Sequence, residues 1–374
     1  MGSNPRDWIA ASLLPRVGAI GLKRLAVAGI PPSQLFLHDP EALRLVGART
    51  VTLRAMESLD QNSGPLFERL ESCLAWLEDS DACCLTPDHT KYPALLLEIP
   101  DPPPLLFVRG DTDCLAMPQM ALVGSRHASR SGVANAYKFS AALSEAGMVV
   151  TSGLALGIDG AAHQGAVDRE GVSIAVFGTG LDEVYPRRHA SLAQRILDTG
   201  GAWVSEFLPG SQPLPGNFPK RNRIISGLCA GVLVIEAAPR SGSLITARMA
   251  LEQGREVFAI PGSIQNPAAH GCHQLIREGA VLVETVAHVL EPLASLLGFF
   301  AAQSSTPEPV PAPALPVAEA QLLEKMGYDI ADIDQLVALT GLPTAQLMPL
   351  LVSLELKGVI EPVPGGYLRC SSDT

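Results

Sequence analysis

Short β-branched runs alternate with helical stretches from Met120 to Val283, and this alternation constrains the fold more than any other feature of the sequence. The runs are Ala121 to Val123, Met148 to Thr151, Ser173 to Phe177, Ala202 to Ser205, Val232 to Ile235, Glu256 to Ile260 and Ala280 to Val283. Each run has the length of one strand, and the gaps are long enough for crossover helices. The pattern predicts an α/β fold built on a parallel sheet.

Small and polar residues follow almost every run. They are Gly124-Ser125-Arg126, Ser152-Gly153, Gly178-Thr179-Gly180, Ser205-Glu206, Glu236 and Pro261-Gly262. The carboxyl ends of parallel strands lie along one edge of an open α/β sheet, and ligands bind in the crevice at that edge. The sequence therefore predicts a binding site where these clusters meet.

The acidity of the chain lies outside the segment that forms the sheet. The formal net charge is −11, which by itself argues against a nucleic-acid partner. Residues 120 to 280 nevertheless hold 14 Lys and Arg against 12 Asp and Glu, while the rest of the chain holds 13 against 26. The composition of the sheet segment is therefore compatible with phosphate binding.

The sequence also predicts a cytoplasmic protein with no membrane segment. Apolar stretches such as Pro292 to Ala302 are shorter than the roughly 18 to 20 residues that a spanning helix needs. Residues Met1 to Ala11 lack the features of a signal peptide. The seven cysteines include no CxxC pair, so they are interpreted as reduced thiols and not as a disulfide frame or a zinc site.

Composition divides the chain into four predicted segments. Residues 1–80 contain short helices broken by Gly and Pro, which predicts a small SAM-like, helix-hairpin-helix-like domain, and residues 81–300 contain the sheet. A Pro- and Ala-rich linker is predicted over residues 301–317. Residues 318–374 then show three helical stretches and a hairpin, which predicts a winged-helix domain.

Two of these segments offer further contacts with DNA or with a protein. Glycines between Val17 and Gly21 suggest a helix-hairpin-helix, but their loose spacing favours an ordinary helical turn over a DNA contact. The recognition helix predicted over Pro343 to Lys357 holds one basic residue and one acid, Glu355. Such a helix neutralises phosphates poorly, which favours a protein partner for the winged helix.

Three cations lie within four positions at Lys220, Arg221 and Arg223, beside Asn222 and Phe218. Cations at the start of a helix repel the helix dipole unless an anion compensates them, so this basic cluster predicts a phosphate ligand. The alternative is a solvated run of charge. Phe218 is interpreted either as a base-stacking residue or as a core residue.

Two turns rich in small residues complete the predicted site. The Gly-Ser-Arg loop, Gly124 to Arg126, precedes a helix whose first amides and arginine could hold phosphate oxygens. Ser241, Gly242 and Ser243 repeat this arrangement after the strand that ends at Glu236. The predicted DNA-binding residues are Gly124, Ser125, Arg126, Gly178, Gly180, Phe218, Lys220, Arg221, Asn222, Arg223, Ser241, Gly242 and Ser243.

Cofactor binding, metal binding and catalysis are not predicted. The glycines follow neither the GxGxxG nor the GxxxxGK[ST] pattern, which disfavours dinucleotides and ATP. Asp159 and His163 lie four residues apart and could form an acid-base pair, but a structural pair at the helix start is favoured. His270 and His273 have no acid at ligand spacing.

Several motifs occur in order between Tyr92 and Ala280. They are Val123-Gly124-Ser125-Arg126, Ser152-Gly153-Leu154-Ala155-Leu156-Gly157-Ile158-Asp159, Phe177-Gly178-Thr179-Gly180-Leu181-Asp182 with Tyr185-Pro186, Ser205-Glu206, Phe218-Pro219-Lys220-Arg221-Asn222-Arg223-Ile224-Ile225-Ser226-Gly227, and Glu252-Gln253-Gly254-Arg255-Glu256-Val257. With these motifs the chain resembles the DNA-processing protein A family, also called Smf, of bacterial natural transformation. The helical N-terminal segment and the winged helix match its larger members.

The resemblance implies an extended Rossmann-like core, a homodimer, binding of single-stranded DNA and delivery of that DNA to the RecA recombinase. It also implies that the DNA site involves the Gly-Ser-Arg loop and Lys220 with Arg221 and Arg223. The resulting hypothesis is a non-enzymatic, cofactor-free protein that binds incoming single strands without sequence specificity and protects them.

Two other functions compete with this hypothesis. Nucleotide phosphoribohydrolases have a related fold with a PGGxGTxxE signature, but Pro239 to Ser243 lacks the double glycine and the acid three residues after Thr246 is missing. The second alternative is an adaptor that binds only proteins through its acidic flanks.

Overall fold

The computed structural model describes residues 4–297, 316–327, 330–357, 359–363 and 365–369. The chain divides into two compact units, Met1–Ala302 and Gln303–Thr374. Almost all of the predicted linker over residues 301–317 lies outside the described residues. The boundary near residue 80 stays a prediction, because the N-terminal helices and the sheet belong to the same unit.

A nine-stranded sheet forms the centre of the first unit. Its strands are β1 (Ala82–Leu85), β2 (Leu106–Gly110), β3 (Gln119–Val123), β4 (Val149–Ser152), β5 (Ser173–Val176), β6 (Ala202–Ser205), β7 (Gly231–Val234), β8 (Glu256–Ala259) and β9 (Val281–Leu282), in the spatial order β1-β2-β6-β5-β4-β3-β7-β8-β9. Strands β3 to β9 are parallel to one another, which confirms the predicted parallel sheet. The antiparallel strands β1 and β2 extend it at one edge.

The strand order reverses at β3, which pairs with β4 on one side and with β7 on the other. Such a reversal separates two neighbouring loops and opens a crevice at the carboxyl ends of the strands. The Gly-Ser-Arg loop follows β3 and Glu236 closely follows β7, so both predicted clusters lie at this point.

Helices cover both faces of the sheet, as a fully buried parallel sheet requires. One face packs against α8 (Arg130–Glu145), α9 (Ile158–Val167), α10 (Ala190–Asp198) and α14 (Ala287–Leu297), and the other against α7 (Ala94–Glu98), α11 (Asn217–Leu228), α12 (Ser243–Glu252) and α13 (His270–Arg277). Apolar side chains alternate between the two faces along β3, where Ala121 and Val123 join one cluster and Met120 and Leu122 join the other. This doubly covered sheet confirms the predicted Rossmann-like core.

The N-terminal segment is helical, as predicted. Its helices are α1 (Pro5–Leu13), α2 (Ala19–Val27), α3 (Ser33–Phe36), α4 (Pro40–Val46), α5 (Thr50–Asp60) and α6 (Gly64–Asp79). Gly18 precedes α2, and Gly21 faces Val46 so closely that a Cβ would lie 3.2 Å from its Cα atom. Gly21 therefore allows α2 and α4 to pack together, which is the ordinary structural role of a glycine in a helix pair.

The second unit has the winged-helix architecture that the sequence predicted. It contains α15 (Val317–Met326), α16 (Ile333–Thr340), α17 (Thr344–Leu356) and a hairpin of β10 (Ile360–Val363) and β11 (Gly366–Arg369). Leu322, Leu336, Leu351 and Leu354 form its core. Lys357 donates to the buried carboxylate of Glu319 over 2.6 Å, so the basic residue predicted on the recognition helix already has an acidic partner.

No single helix in the described part of the chain is long and apolar enough to cross a membrane. The helices Ile333–Thr340 and Thr344–Leu356 are together long and apolar enough, but the chain bends by 109° between them. Six cysteines in this part are free thiols, and five of them are buried. Burial raises the pKa of Cys73 and Cys272 to about 11, which fits their interpretation as apolar core residues.

Candidate nucleic-acid interface

The Gly-Ser-Arg loop is held tightly at the switch point of the sheet. The Ser125 amide donates to the carbonyl oxygen of Glu236 over 2.8 Å. A Cβ on Gly124 would lie 2.5 Å from the Ile158 side chain and 2.9 Å from the Glu236 carbonyl oxygen, so glycine alone fits there. The loop is fixed by its backbone, and Arg126 extends from it as an exposed side chain.

Arg126 lies on an aromatic platform that joins three parts of the predicted site. Its guanidinium carbon is 5.3 Å from the centre of the Phe218 ring. Phe218 packs on Gly178, where a Cβ would approach within 2.8 Å of the ring. Tyr185 also borders this platform, with its ring centre 5.7 Å from that of Phe218. Arg126, Phe218 and Gly178 therefore lie together, and the half-buried Phe218 and exposed Tyr185 leave part of this aromatic surface open to solvent.

The first turn of α8 already holds an anion, which is the carboxylate of Glu236. The Ser129 hydroxyl donates to this carboxylate over 2.6 Å, and the Ser129 amide donates over 3.2 Å. A Cβ on Gly132 would overlap the same carboxylate. The Ser129 amide, one of the helix-start amides predicted to hold phosphate, therefore has a buried partner within the protein.

The basic cluster lies within α11 and not in a loop before it. An α-helix turns by about 100° per residue, so neighbouring side chains of the cluster point in different directions. Lys220 is exposed, whereas Arg221 and Arg223 are buried. The three cations therefore do not form one surface.

The buried Arg221 side chain donates hydrogen bonds to the ends of two neighbouring strands, β4 and β5. Its Nη1 atom donates to the carbonyl oxygens of Gly153, at 2.9 Å, and Val176. Burial lowers the pKa of the guanidinium, and the nearby carboxylate of Asp159 raises it. Arg221 is 3% exposed, so a direct contact with phosphate, as the sequence predicted, is not supported by this geometry.

Arg223 and Lys220 share the carboxylate of Glu206. The Arg223 guanidinium makes two hydrogen bonds to Glu206, of 2.8 and 2.9 Å, and a third of 3.2 Å to Asp101. The Lys220 ammonium lies 3.0 Å from Glu206 and over the ring of Phe207. The two carboxylates balance the two cations, so this side of α11 contributes less positive charge than the sequence suggested.

The serine turn before α12 lies beside the basic cluster. The Asn222 amide donates to the Gly242 carbonyl oxygen at 3.5 Å, and the hydroxyls of Ser241 and Ser243 are 2.7 Å apart. Gly242 is exposed and has open space around it. By contrast, Gly180 is buried and packs against Asp182, so its role in the loop after β5 is structural.

Asp159 and His163 act separately, which agrees with the structural interpretation of this pair. One Asp159 oxygen accepts hydrogen bonds from the amides of Gly153 and Ala155 at 3.1 and 3.4 Å, and burial raises the pKa of its carboxyl. The Nδ1 atom of His163 lies 2.8 Å from the hydroxyl of Ser173. That hydroxyl donates its only hydrogen to a carbonyl, so Nδ1 carries the ring proton and Nε2 is a buried lone pair without a partner.

His163 should make the protein less stable as the pH falls. Burial lowers its pKa to about 3, while an unfolded histidine titrates near 6.5. Between these values the unfolded chain binds more protons, so the native state loses about 2 kcal/mol from this group by pH 5. The variant His163→Asn keeps a donor for Ser173 but does not titrate. Urea unfolding at pH 7.5 and pH 5 should show a smaller loss in this variant, and an equal loss would contradict the assignment.

His270 and His273 hold a loop. Their Nε2 atoms lie 3.0 Å from the Ile264 carbonyl oxygen and 2.9 Å from the Gly262 carbonyl oxygen. Within the described residues there is no group of three His, Cys, Asp or Glu side chains placed to hold a metal ion.

The sequence analysis named Tyr185 only within a motif of the family resemblance and not as a site residue, and it did not predict the capping role of Glu236. An aromatic residue that follows the Gly178 loop and precedes Pro186 was a visible signal for Tyr185. Glu236 was noted only as the end of its strand. Its partner Ser129 lies 107 residues away, and only the fold brings the two together.

The protein is of the class that combines a Rossmann-like α/β domain, with polar loops at the crevice edge of its sheet, and a winged-helix domain. Residues 83–294 match the model of the family described as DNA recombination-mediator protein A, and residues 306–366 match the DprA winged helix domain. The chain belongs to the DNA recombination-mediator protein A family.

Known relatives agree with this assignment. The chain is 48% identical to Protein Smf of Escherichia coli over 303 residues, which covers 80% of each protein, and 34% identical to Protein Smf of Synechocystis over 96% of each. It is similar to the solved DNA processing protein A of Streptococcus pneumoniae, with 37% identity, a TM-score of 0.66, and coverage of 78% of this chain and 98% of that one. The corresponding protein of Helicobacter pylori, described for its single-stranded DNA binding mode, has 26% identity, a TM-score of 0.52, and coverage of 58% and 97%.

Proposed function

We propose that this protein binds single-stranded DNA at the switch-point edge of its sheet, without catalysis. The observation that carries the proposal is Arg126, an exposed cation that makes no ion pair with any described residue and lies on the ring of Phe218. A guanidinium and an aromatic face are the two groups that bind a single strand, one at a phosphate and the other at a base.

The site favours a single strand over a duplex. Phe218 and Tyr185 can stack only on bases whose faces are free, and bases in a duplex are stacked on each other. Aromatic stacking tolerates every base, so sequence specificity is low. The described relative from Helicobacter pylori, which is known for its single-stranded DNA binding mode, supports the same ligand.

The finer parts of the proposal follow from the family. The protein protects incoming single strands during natural transformation, acts in the cytoplasm as a homodimer and delivers the strand to the RecA recombinase. Two copies on one strand would raise the avidity for long DNA. The winged helix, whose Lys357 is paired with Glu319, is assigned to a protein contact.

Titration with a labelled poly-dT oligonucleotide tests the proposal. We expect binding that weakens as salt rises, because each neutralised phosphate releases counterions. A duplex of the same length should bind at least about tenfold more weakly, because stacking adds about 1–3 kcal/mol per base.

Two results would overturn this function. Binding that is absent or insensitive to salt would favour a protein-only adaptor. Release of free base from nucleoside monophosphates, above a control without protein, would favour a phosphoribohydrolase.

A further inference from the structure

A groove of about 500 Å³ opens beside the Gly-Ser-Arg loop, and the proposed function does not use it. Its lining includes Gly157, Gly160, Gln164, Arg188, His189 and Arg195. This volume lies within the roughly 300–1,000 Å³ of sites that hold small organic ligands, so a segment the size of a nucleotide fits.

The groove begins where the Gly-Ser-Arg loop ends. A Cβ on Gly157 would overlap the carbonyl oxygen of Ser125 and lie 2.8 Å from that of Arg126. Gly157 is therefore packed directly under the loop that presents Arg126. The groove and Arg126 therefore lie on the two sides of the same loop backbone.

Two glycines allow protein segments to pack closely at the floor of the groove. Gly157 has a φ of 78°, which favours glycine, and a Cβ on Gly160 would lie 2.6 Å from the His189 ring. Neither position tolerates a larger side chain without movement of its neighbours. The two glycines therefore hold the Gly-Ser-Arg loop and His189 close against the start of α9, which fixes the position of the groove floor.

The polar lining of the groove is cationic. Arg188 is exposed and forms no ion pair with any described residue. Arg195 is already paired with Asp168 over 2.6 Å. Arg188 is therefore the arginine of the groove lining that is available to bind a phosphate. His189 lies 2.9 Å from the Leu154 carbonyl oxygen through Nδ1, which must carry a proton because the carbonyl only accepts.

We propose that this groove is a second subsite for the backbone of the same single strand, in which Arg188 binds a phosphate beyond the one at Arg126. The inference rests on the proposed function and adds the direction of the strand, from Arg126 over Gly157 and Gly160 toward Arg188. The groove lining contains no Phe, Tyr or Trp, and its one imidazole, His189, packs against Gly160, so the groove contacts the backbone and adds no preference for a base.

The matched pair Arg188→Ala and Arg187→Ala tests the groove. Both arginines lie in the same short 3₁₀ turn, but Arg187 is 85% exposed and bound to Glu183 over 2.7 Å outside the groove. Each variant removes one positive charge at nearly the same place. Any difference between them therefore reports the groove and not the general charge of the protein.

The measurement is affinity for dT oligonucleotides of increasing length, at several salt concentrations. Wild-type affinity should rise with length until both subsites are filled. Arg188→Ala should match the wild type on the shortest oligonucleotides and bind the longer ones several-fold to tenfold more weakly, and its salt slope should fall by about 0.7 for one lost phosphate contact. Arg187→Ala should follow the wild type at every length.

A second variant, Ala161→Glu, places a carboxylate on the groove wall and should weaken the binding of long oligonucleotides further. The groove would not be a subsite for DNA if Arg187→Ala and Arg188→Ala lost the same affinity. The same conclusion would follow if Arg188→Ala lost the same affinity at every oligonucleotide length. Affinity that does not depend on length, in a wild type that binds dT, would also overturn the subsite. A wild-type protein that binds no dT would instead refute the proposed function. If a mononucleotide competed with long oligonucleotides but not with short ones, the ligand of the groove would be a free nucleotide.

Discussion

Replacement of Arg126 by alanine should weaken dT binding by about tenfold to a hundredfold, because a hydrogen bond to a charged group contributes about 1.5–3 kcal/mol. Arg126 is an exposed cation at the switch point, and no described carboxylate pairs with it. The guanidinium also covers one side of the Phe218 ring, so the variant loses a phosphate contact and part of the stacking platform. Fluorescence anisotropy at several salt concentrations measures both the affinity and its salt slope.

Two further variants separate this effect from a general loss of charge. Lys220→Ala should cause a smaller loss, because its ammonium already lies 3.0 Å from Glu206. Arg277→Ala, which removes an exposed charge in the last turn of α13, should have little effect. If Arg126→Ala bound dT as tightly as Arg277→Ala, the switch-point site would have to be abandoned.

Replacement of Arg221 by methionine should lower the free energy of unfolding by about 3–5 kcal/mol, the cost of breaking a buried charged network by removal of one partner. Methionine has a similar length but donates no hydrogen bonds. The carbonyl oxygens of Gly153 and Val176 would lose their donor, and the buried carboxylate of Asp159 would lose its compensating charge. Urea denaturation of the purified variant, compared with Arg240→Met at an exposed position, measures this loss.

The double variant Arg221→Met with Asp159→Asn provides a second test. Asparagine can still accept a hydrogen bond from the Gly153 amide but carries no charge, so the double variant should be more stable than Arg221→Met alone. If Arg221→Met were no less stable than Arg240→Met, or if the second substitution restored nothing, Arg221 would not be the structural tie between these strands.

The fold was largely predictable because the interior strands are short, β-branched and buried on both faces. Such runs as Ser173 to Phe177 have few other structures available to them within an α/β pattern. Strands β1 and β2 were missed because Ala82 to Leu85 contains two cysteines and β2 follows a run of prolines. Strand β1 lies at the edge of the sheet, and β2 pairs with β6, which is far away in sequence. A local sequence pattern does not reveal either arrangement.

The edge that carries the site was predictable, but the orientation of individual side chains was not. Strand ends fix where a loop lies, which is why Arg126, Phe218 and Gly178 meet. The helical phase of α11 decides that Lys220 is exposed while Arg221 and Arg223 are buried. The pairing of Arg223 with Asp101, 122 residues away, depends on the tertiary fold, so it could not be inferred from spacing.

The contact of the Glu236 carboxylate with the first turn of α8 affects how free nucleotides compete with DNA for this edge of the sheet. Rossmann-type proteins use this position for the phosphate of a soluble nucleotide. Here the Glu236 carboxylate already accepts from the Ser129 amide and hydroxyl, so a nucleotide phosphate that used this turn as its anchor would have to compete with it. A polymer held by repeated weak contacts along the outer edge does not need that anchor, and such an edge would select chains of nucleotides against a large excess of monomers.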